Sequence, residues 1–307
     1  MSDEAAPPTS ARGLDATAVA HIVRRLARAP EPPWLHREVA RRMAERLALI
    51  RLQPAALLEW SGWLGAGGAR ADRRVAAARR VLVEPQADLQ ARSAAQARPP
   101  WWSVQRWQAP APEVVGIDAP LPRGVQLIWA NMVLHGSVDP PRLFARWHEA
   151  LAVDGFVMFS CLGPGTLREL RELYARLGWP APTPTFIDMH DLGDMLVQAG
   201  FADPVMDQEV LTLSWADADA LLAELRSLGG NAAPQRAAGL RTPRWKQLLR
   251  RELGALAGPD GRLSLSFEVA YGHAFRGLPR ARPGEATRVS LEDMRRLVRT
   301  RGDGPVR

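Results

Sequence analysis

Short apolar runs alternate along the chain with longer stretches in which apolar residues recur every three to four positions, the pattern of strands separated by helices. The clearest example lies between Gln126 and Leu170. An apolar run at 126–134 gives way to an amphipathic segment opened by Asp139-Pro140-Pro141, and a second apolar run follows at 155–162, behind Gly155. Parallel strands need a crossover of roughly a dozen residues or more, so two buried strands joined by a helix is the economical reading. Upstream, Ala55–Trp60 and Arg80–Pro85 are further short apolar runs, and Ala69–Arg79 can supply the helix between them, giving a βαβ unit. Glu113–Ile117 reads as a weaker strand. Asp15–Arg28 and Leu35–Ile50 have helical apolar spacing, with prolines at 30, 32 and 33 breaking the run.

Beyond the fifth strand the pattern predicts a helix from about Gly165 to Leu177. A further helix at Asp191–Gln198 is capped by Asp188 or Asp191 and ended by Gly200. Glu209–Trp215 alternates as a half-buried strand, and Ala218–Leu228 is helical up to Gly229-Gly230. Thr242-Pro243 opens another helix that stops near Gly258. Arg262–Arg276 has the cleanest alternation in the chain. Residues 1–14 read as a disordered arm, 15–54 as N-terminal helices able to form a lid, and 55–276 as the main domain. The tail at 277–307 is basic and mostly disordered, with one short helix after the Ser290…Asp293 capping box.

A chain of 307 residues can bury one full core of about 250 residues plus tails. No apolar run nears the roughly 20 residues needed to span a bilayer, so no membrane role is expected. The opening MSDEAAPPTS lacks the apolar core of a signal peptide, which makes the cytoplasm the expected compartment. The net charge of +7 could suggest nucleic acid, but the basic residues are scattered along helices and only one, Lys246, is a lysine. Solvated helix faces are the plain reading, an acidic protein partner is the next, and no nucleic acid is expected. Cys161 is the only cysteine, which excludes an internal disulfide and points to a small buried thiol. His21, His36, His135, His148, His190 and His273 show no metal-ligand spacing, so no metal is expected.

Three strings carry a family resemblance. Trp129-Ala130-Asn131-Met132 stands where class I S-adenosylmethionine (SAM) methyltransferases have the end of their fourth strand, and Ala152-Val153-Asp154-Gly155-Phe156 stands for the turn before the fifth. Phe159-Ser160-Cys161-Leu162-Gly163-Pro164-Gly165-Thr166-Leu167-Arg168-Glu169-Leu170 narrows this to the malonyl-acyl-carrier-protein O-methyltransferases of biotin synthesis, which the chain resembles over about 35–276. The resemblance implies an α/β, Rossmann-like fold: seven mostly parallel strands, an antiparallel closing hairpin, and a helical insertion at 218–258 before the last strand. It implies SAM as cofactor, an acyl-carrier protein as partner, and methylation of a free malonyl carboxylate. Two alternatives keep the same cleft: a catalytically lapsed fold acting as a binding or regulatory protein, and other chemistry on SAM.

On the family pattern, the cofactor would be held by Glu59, Ser61, Gly62 and Gly65 of the first loop, by Glu84 and Pro85 at the ribose, by Asp118 at the adenine, and by Ala130 and Asn131 after the fourth strand. Leu57-Leu58-Glu59-Trp60-Ser61-Gly62-Trp63-Leu64-Gly65 departs from the family loop, because Ser61 and Trp63 occupy glycine positions. Glu224–Asn231 (ELRSLGGN) resembles a segment on the acceptor side. It suggests Arg226 as the holder of the carboxylate, Asn131 and Asn231 as polar positioners, and Arg168 as the next cationic candidate. His135 reads as a structural hydrogen-bonder. The N-terminal segment that in relatives carries a lid tyrosine has Trp34 and His36 here, and no tyrosine.

Overall fold

The computed structural model describes residues 13–48, 50–51, 53–67, 78–97 and 111–278. The expected helix at 69–79 falls mostly outside these residues, as do nearly all of the expected N-terminal arm and C-terminal tail. Helices α1 (Ala16–Ala27) and α2 (Trp34–Leu47) lead into β1 (Ala56–Trp60), β2 (Arg79–Glu84), α3 (Ala87–Ala97), β3 (Glu113–Gly116) and β4 (Val125–Ala130). Next come α4 (Pro140–Ala150), β5 (Leu151–Leu162), α5 (Arg168–Arg176), α6 (Met189–Gln198) and β6 (Ala202–Trp215). Helices α7 (Ala218–Ser227) and α8 (Pro243–Gly254) then precede β7 (Leu263–Phe275).

The strands form one seven-stranded sheet in the order β3-β2-β1-β4-β5-β7-β6. The first five are parallel, and β7 runs antiparallel between β5 and β6. Side-chain alternation splits the core into two layers. Leu57, Leu127 and Phe156 face α2, α5 and α8, whereas Leu58, Ile128 and Val157 face α4 and α6. Both faces are covered, which is why the central strands read as unbroken apolar runs. Gly272 lies where the second layer is tightest: a Cβ there would overlap the Phe159 ring and come within 2.9 Å of the Met206 sulfur. Among the described residues, no helix is long and apolar enough to cross a membrane.

The helices begin where capping chemistry places them. Asp15, Asp139, Asp188, Asp217 and Thr242 each accept a backbone N–H from the first turn of the helix that follows. The closing hairpin and the insertion at α7–α8 match expectation. Several boundaries differ, among them β6, which begins at Ala202 and not at Glu209, and α8, which ends at Gly254 short of Gly258. Strand β4 stops at Ala130 because Met132 turns left-handed (φ 55°), and α5 starts at Arg168 because Leu167 does the same (φ 54°). Helix α3 has no apolar stripe to announce it; Leu89 and Ser93 are the residues it buries.

Candidate active site

Ser61 (φ 53°), Met132 (φ 55°) and Leu167 (φ 54°), past the carboxyl ends of β1, β4 and β5, are non-glycine residues with left-handed backbone. Each such conformation costs on the order of 1–3 kcal/mol and persists only where the surroundings enforce it. Here the N–H of each is captured by a neighbouring element. Ser61 donates to Val83 O at 2.8 Å, Met132 to Ser160 Oγ at 3.0 Å, and Leu167 to Ser266 O at 2.6 Å. All three residues line a single cavity of about 600 Å³. The cavity follows the sheet order. Its wall passes from Asp118 after β3, through Pro85 and Ser61, to Met132 and His135 after β4 and Thr166 after β5. Ile22 of α1, His36 of α2 and the Leu228–Ala232 segment after α7 close it from outside.

Of the residues expected to hold a cofactor, Ser61, Pro85 and Asp118 reach this wall, and Asn231 reaches it on the acceptor side. The others lie behind it. Glu59 is fully buried, with Oε1 in an ion pair with Arg80 at 2.6 Å. Glu84 accepts the backbone N–H of Trp63 at 2.8 Å and the Ser93 hydroxyl at 2.5 Å, which makes it an anchor of the loop. Gly62 packs on Leu82, and a Cβ at Gly65 would sit 2.9 Å from Ser61 O. The loop's own fold therefore requires the glycine at Gly65. Ala130 is buried in the second core layer.

Asn131 is a tie rather than a positioner of substrate. Its Nδ2 donates to His36 O at 2.8 Å and Gly65 O at 3.1 Å, while its Oδ1 accepts the Ser160 hydroxyl at 2.7 Å. It thereby fixes α2, the first loop, β4 and β5 together. Arg226 is exposed and off the wall, because the helix turns Leu225 and Leu228 inward instead. Arg168 is also off the wall, with its side chain 64% exposed.

Trp63 does not enter the cavity. Its indole is buried behind the loop against Leu26, Leu64 and Leu89, with the Arg92 guanidinium 3.9 Å above the ring. From the lid segment, Leu35 and His36 meet the cavity; Trp34 is 46% exposed.

Two histidines meet on the cavity wall. His36 Nδ1 donates to Leu64 O at 2.8 Å, and burial holds the ring neutral, with its pKa lowered to about 4. His135 Nδ1 accepts the Leu162 N–H at 3.4 Å; burial and the nearby His36 lower its pKa to about 3. The ring centroids are 6.4 Å apart, edge to face. A lone histidine in sequence gives no sign of this pairing, since it is made by α2 closing over the end of β4.

A 3-2-1-4-5-7-6 sheet with a cavity across the carboxyl ends of its parallel strands defines the class I SAM-dependent methyltransferase fold. The YcgJ protein of Bacillus subtilis shares it, with a TM-score of 0.51 at 10% identity over 77% of this chain and 98% of that one. A candidate methyltransferase from Bacillus halodurans gives a TM-score of 0.51 at 13% identity over 77% and 99% of the two chains. No protein-family model matches the chain. Malonyl-[acyl-carrier protein] O-methyltransferase of Gallionella capsiferriformans is 36% identical over 276 residues, 88% of this chain and 89% of that one. The enzyme of the same name from Laribacter hongkongensis is 38% identical over 269 residues, 86% and 88% of the two chains. The chain belongs to the malonyl-[acyl-carrier protein] O-methyltransferase family.

A volume of about 600 Å³ lies within the ordinary range of ligand sites, roughly 300–1,000 Å³. The Asp118 carboxylate, an acceptor, and the Ser61 hydroxyl, with apolar Pro85 and Ile117 at the strand ends and Leu143 of α4, suit a nucleoside carrying a polar amino-acid tail. The residues present fit the cofactor, with Glu59 and Glu84 buried behind the wall.

Proposed function

We propose that the protein transfers a methyl group from SAM to the free carboxylate of a malonyl group carried on acyl-carrier protein, a step of biotin synthesis. The observation that carries this reading is the single continuous cavity running from Asp118 after β3 to His135 after β4. One end takes a cofactor and the other a second substrate. Asp118 would hold the adenine, Pro85 the ribose edge and Ser61 the amino-acid tail. When bound, SAM supplies an electrophilic methyl group on a sulfonium.

The chain's own work is then to bind, orient and exclude water. A carboxylate is already ionised at pH 7, so no general base is needed. Orientation in a closed site supplies much of the rate. Leu170, Phe186 and Phe267 line the acceptor side, and α1 and α2 cover the cavity, which keeps water from the reacting centre. Purified protein incubated with SAM and malonyl-loaded carrier protein should yield the malonyl methyl ester. Absence of both transfer and SAM binding at millimolar concentration would leave a lapsed methyltransferase fold.

A further inference from the structure

The half of the cavity beside β4 and β5 is walled largely by apolar side chains, and most of its polar ones are already engaged. Thr166 Oγ1 donates to Glu268 O at 3.0 Å and accepts the Glu268 N–H at 3.1 Å. Asn231 Nδ2 donates to Ala181 O at 2.7 Å. The guanidinium groups on the wall are those of Arg142 and Arg146, both on α4. Arg146 serves the β3 side, donating to Ala119 O at 3.2 Å and lying 5.3 Å over the Trp60 ring.

The Thr183 hydroxyl, buried without a hydrogen-bond partner, and the His135 ring remain, and of the two the His135 ring has its proton position fixed by a neighbour. A main-chain N–H can only donate, so the bond from Leu162 to Nδ1 places the His135 proton on Nε2. Among the described residues nothing accepts that N–H, and the ring lines the cavity. Facing it, His36 has the opposite tautomer. Its Nδ1–H is given to Leu64 O, which leaves a lone pair at Nε2.

Resting on the methyl-transfer reading above, we propose that His135 Nε2–H holds the acceptor carboxylate, as a neutral donor in place of a cation. The His36 lone pair repels a carboxylate oxygen and so directs the anion toward the His135 side. The arrangement suits the reaction. Transfer to a carboxylate consumes its negative charge, so a guanidinium gripping it would stabilise the substrate more than the transition state. A neutral N–H orients the oxygen with less of that loss.

The test compares the parent with His135→Phe, His135→Gln and Arg142→Ala. It measures KM and kcat on malonyl-loaded carrier protein, and by calorimetry the affinities for malonyl-pantetheine and for SAM separately. His135→Phe keeps a planar ring but no donor. It should weaken malonyl-pantetheine and raise KM about tenfold or more, the usual loss for a hydrogen bond to a charged group, with SAM affinity unchanged. His135→Gln retains an N–H and should recover most of the loss. In the parent, the His135 Nε2–H proton resonance should shift when malonyl-pantetheine is added. A folded, SAM-binding His135→Phe with parental KM and affinity overturns the proposal, as does a loss produced by Arg142→Ala alone. A parent that leaves the malonyl carboxylate unmethylated overturns the functional reading, and this inference with it.

Discussion

The carboxylate of Glu84 accepts the backbone N–H of Trp63 at 2.8 Å, with the glutamate fully buried and the Ser93 hydroxyl on the same oxygen at 2.5 Å. An acid at the end of a second strand would ordinarily be available to a ribose. In this chain it holds the first loop in place, and the loop in turn sets the left-handed turn at Ser61 on the cavity wall.

Glu84→Ala should therefore act first on stability. It leaves the Trp63 N–H and the Ser93 hydroxyl buried without this acceptor, at about 1–3 kcal/mol for each. Asp118 is exposed on the cavity wall, so Asp118→Ala should barely move Tm while weakening SAM. Thermal denaturation alongside SAM titration separates the two. A Glu84→Ala protein with parental Tm would remove the anchoring role.

Trp63→Gly restores the family's loop glycine, yet it should not improve the site. The indole lies behind the loop in contact with Leu26 and Leu89 and beneath Arg92, so its removal opens a cavity in that cluster. The expected cost is about 3–5 kcal/mol, typical of deleting a buried indole. Urea denaturation should show that loss, with SAM affinity no tighter than the parent's.

Acid should destabilise the protein through the two cavity histidines. Each is neutral when folded, with pKa about 4 for His36 and about 3 for His135, and takes up a proton near pH 6.5 when unfolded. Because the unfolded chain binds more protons, their contribution is whole above about pH 6.5 and is lost as pH falls toward the folded values. At pH 5 each ring should have cost about 2 kcal/mol. Stability from urea curves at pH 7 and pH 5 should fall less for His135→Gln than for the parent by about that amount; equal falls would refute it.

Cys161 should be inert in the folded protein. It is buried between strands and burial pushes its thiol up to about 12, so almost no thiolate exists at pH 8. A thiol reagent should label it only on unfolding. Rapid labelling of the native protein would show that β5 opens locally.

The linear pattern was enough to announce the layered α/β fold and the closing hairpin. Runs such as 155–162 are apolar throughout because both faces of the sheet are covered, and Arg262–Arg276 alternates because its strand closes the sheet between two antiparallel neighbours. Caps such as Asp139 and Thr242 were equally plain, since a cap acts within three residues of itself. The directions of the polar side chains were not legible. Glu59, Glu84 and Asn131 stand at positions that the family pattern assigns to ligand, and each is engaged by a partner 21 or more residues away: Arg80, Trp63 and Ser160. His36 and His135 lie far apart in the chain and meet only because α2 folds over the end of β4. Local periodicity records which face of an element is buried; it carries nothing about which distant group a buried polar atom will find, and that choice is made by packing.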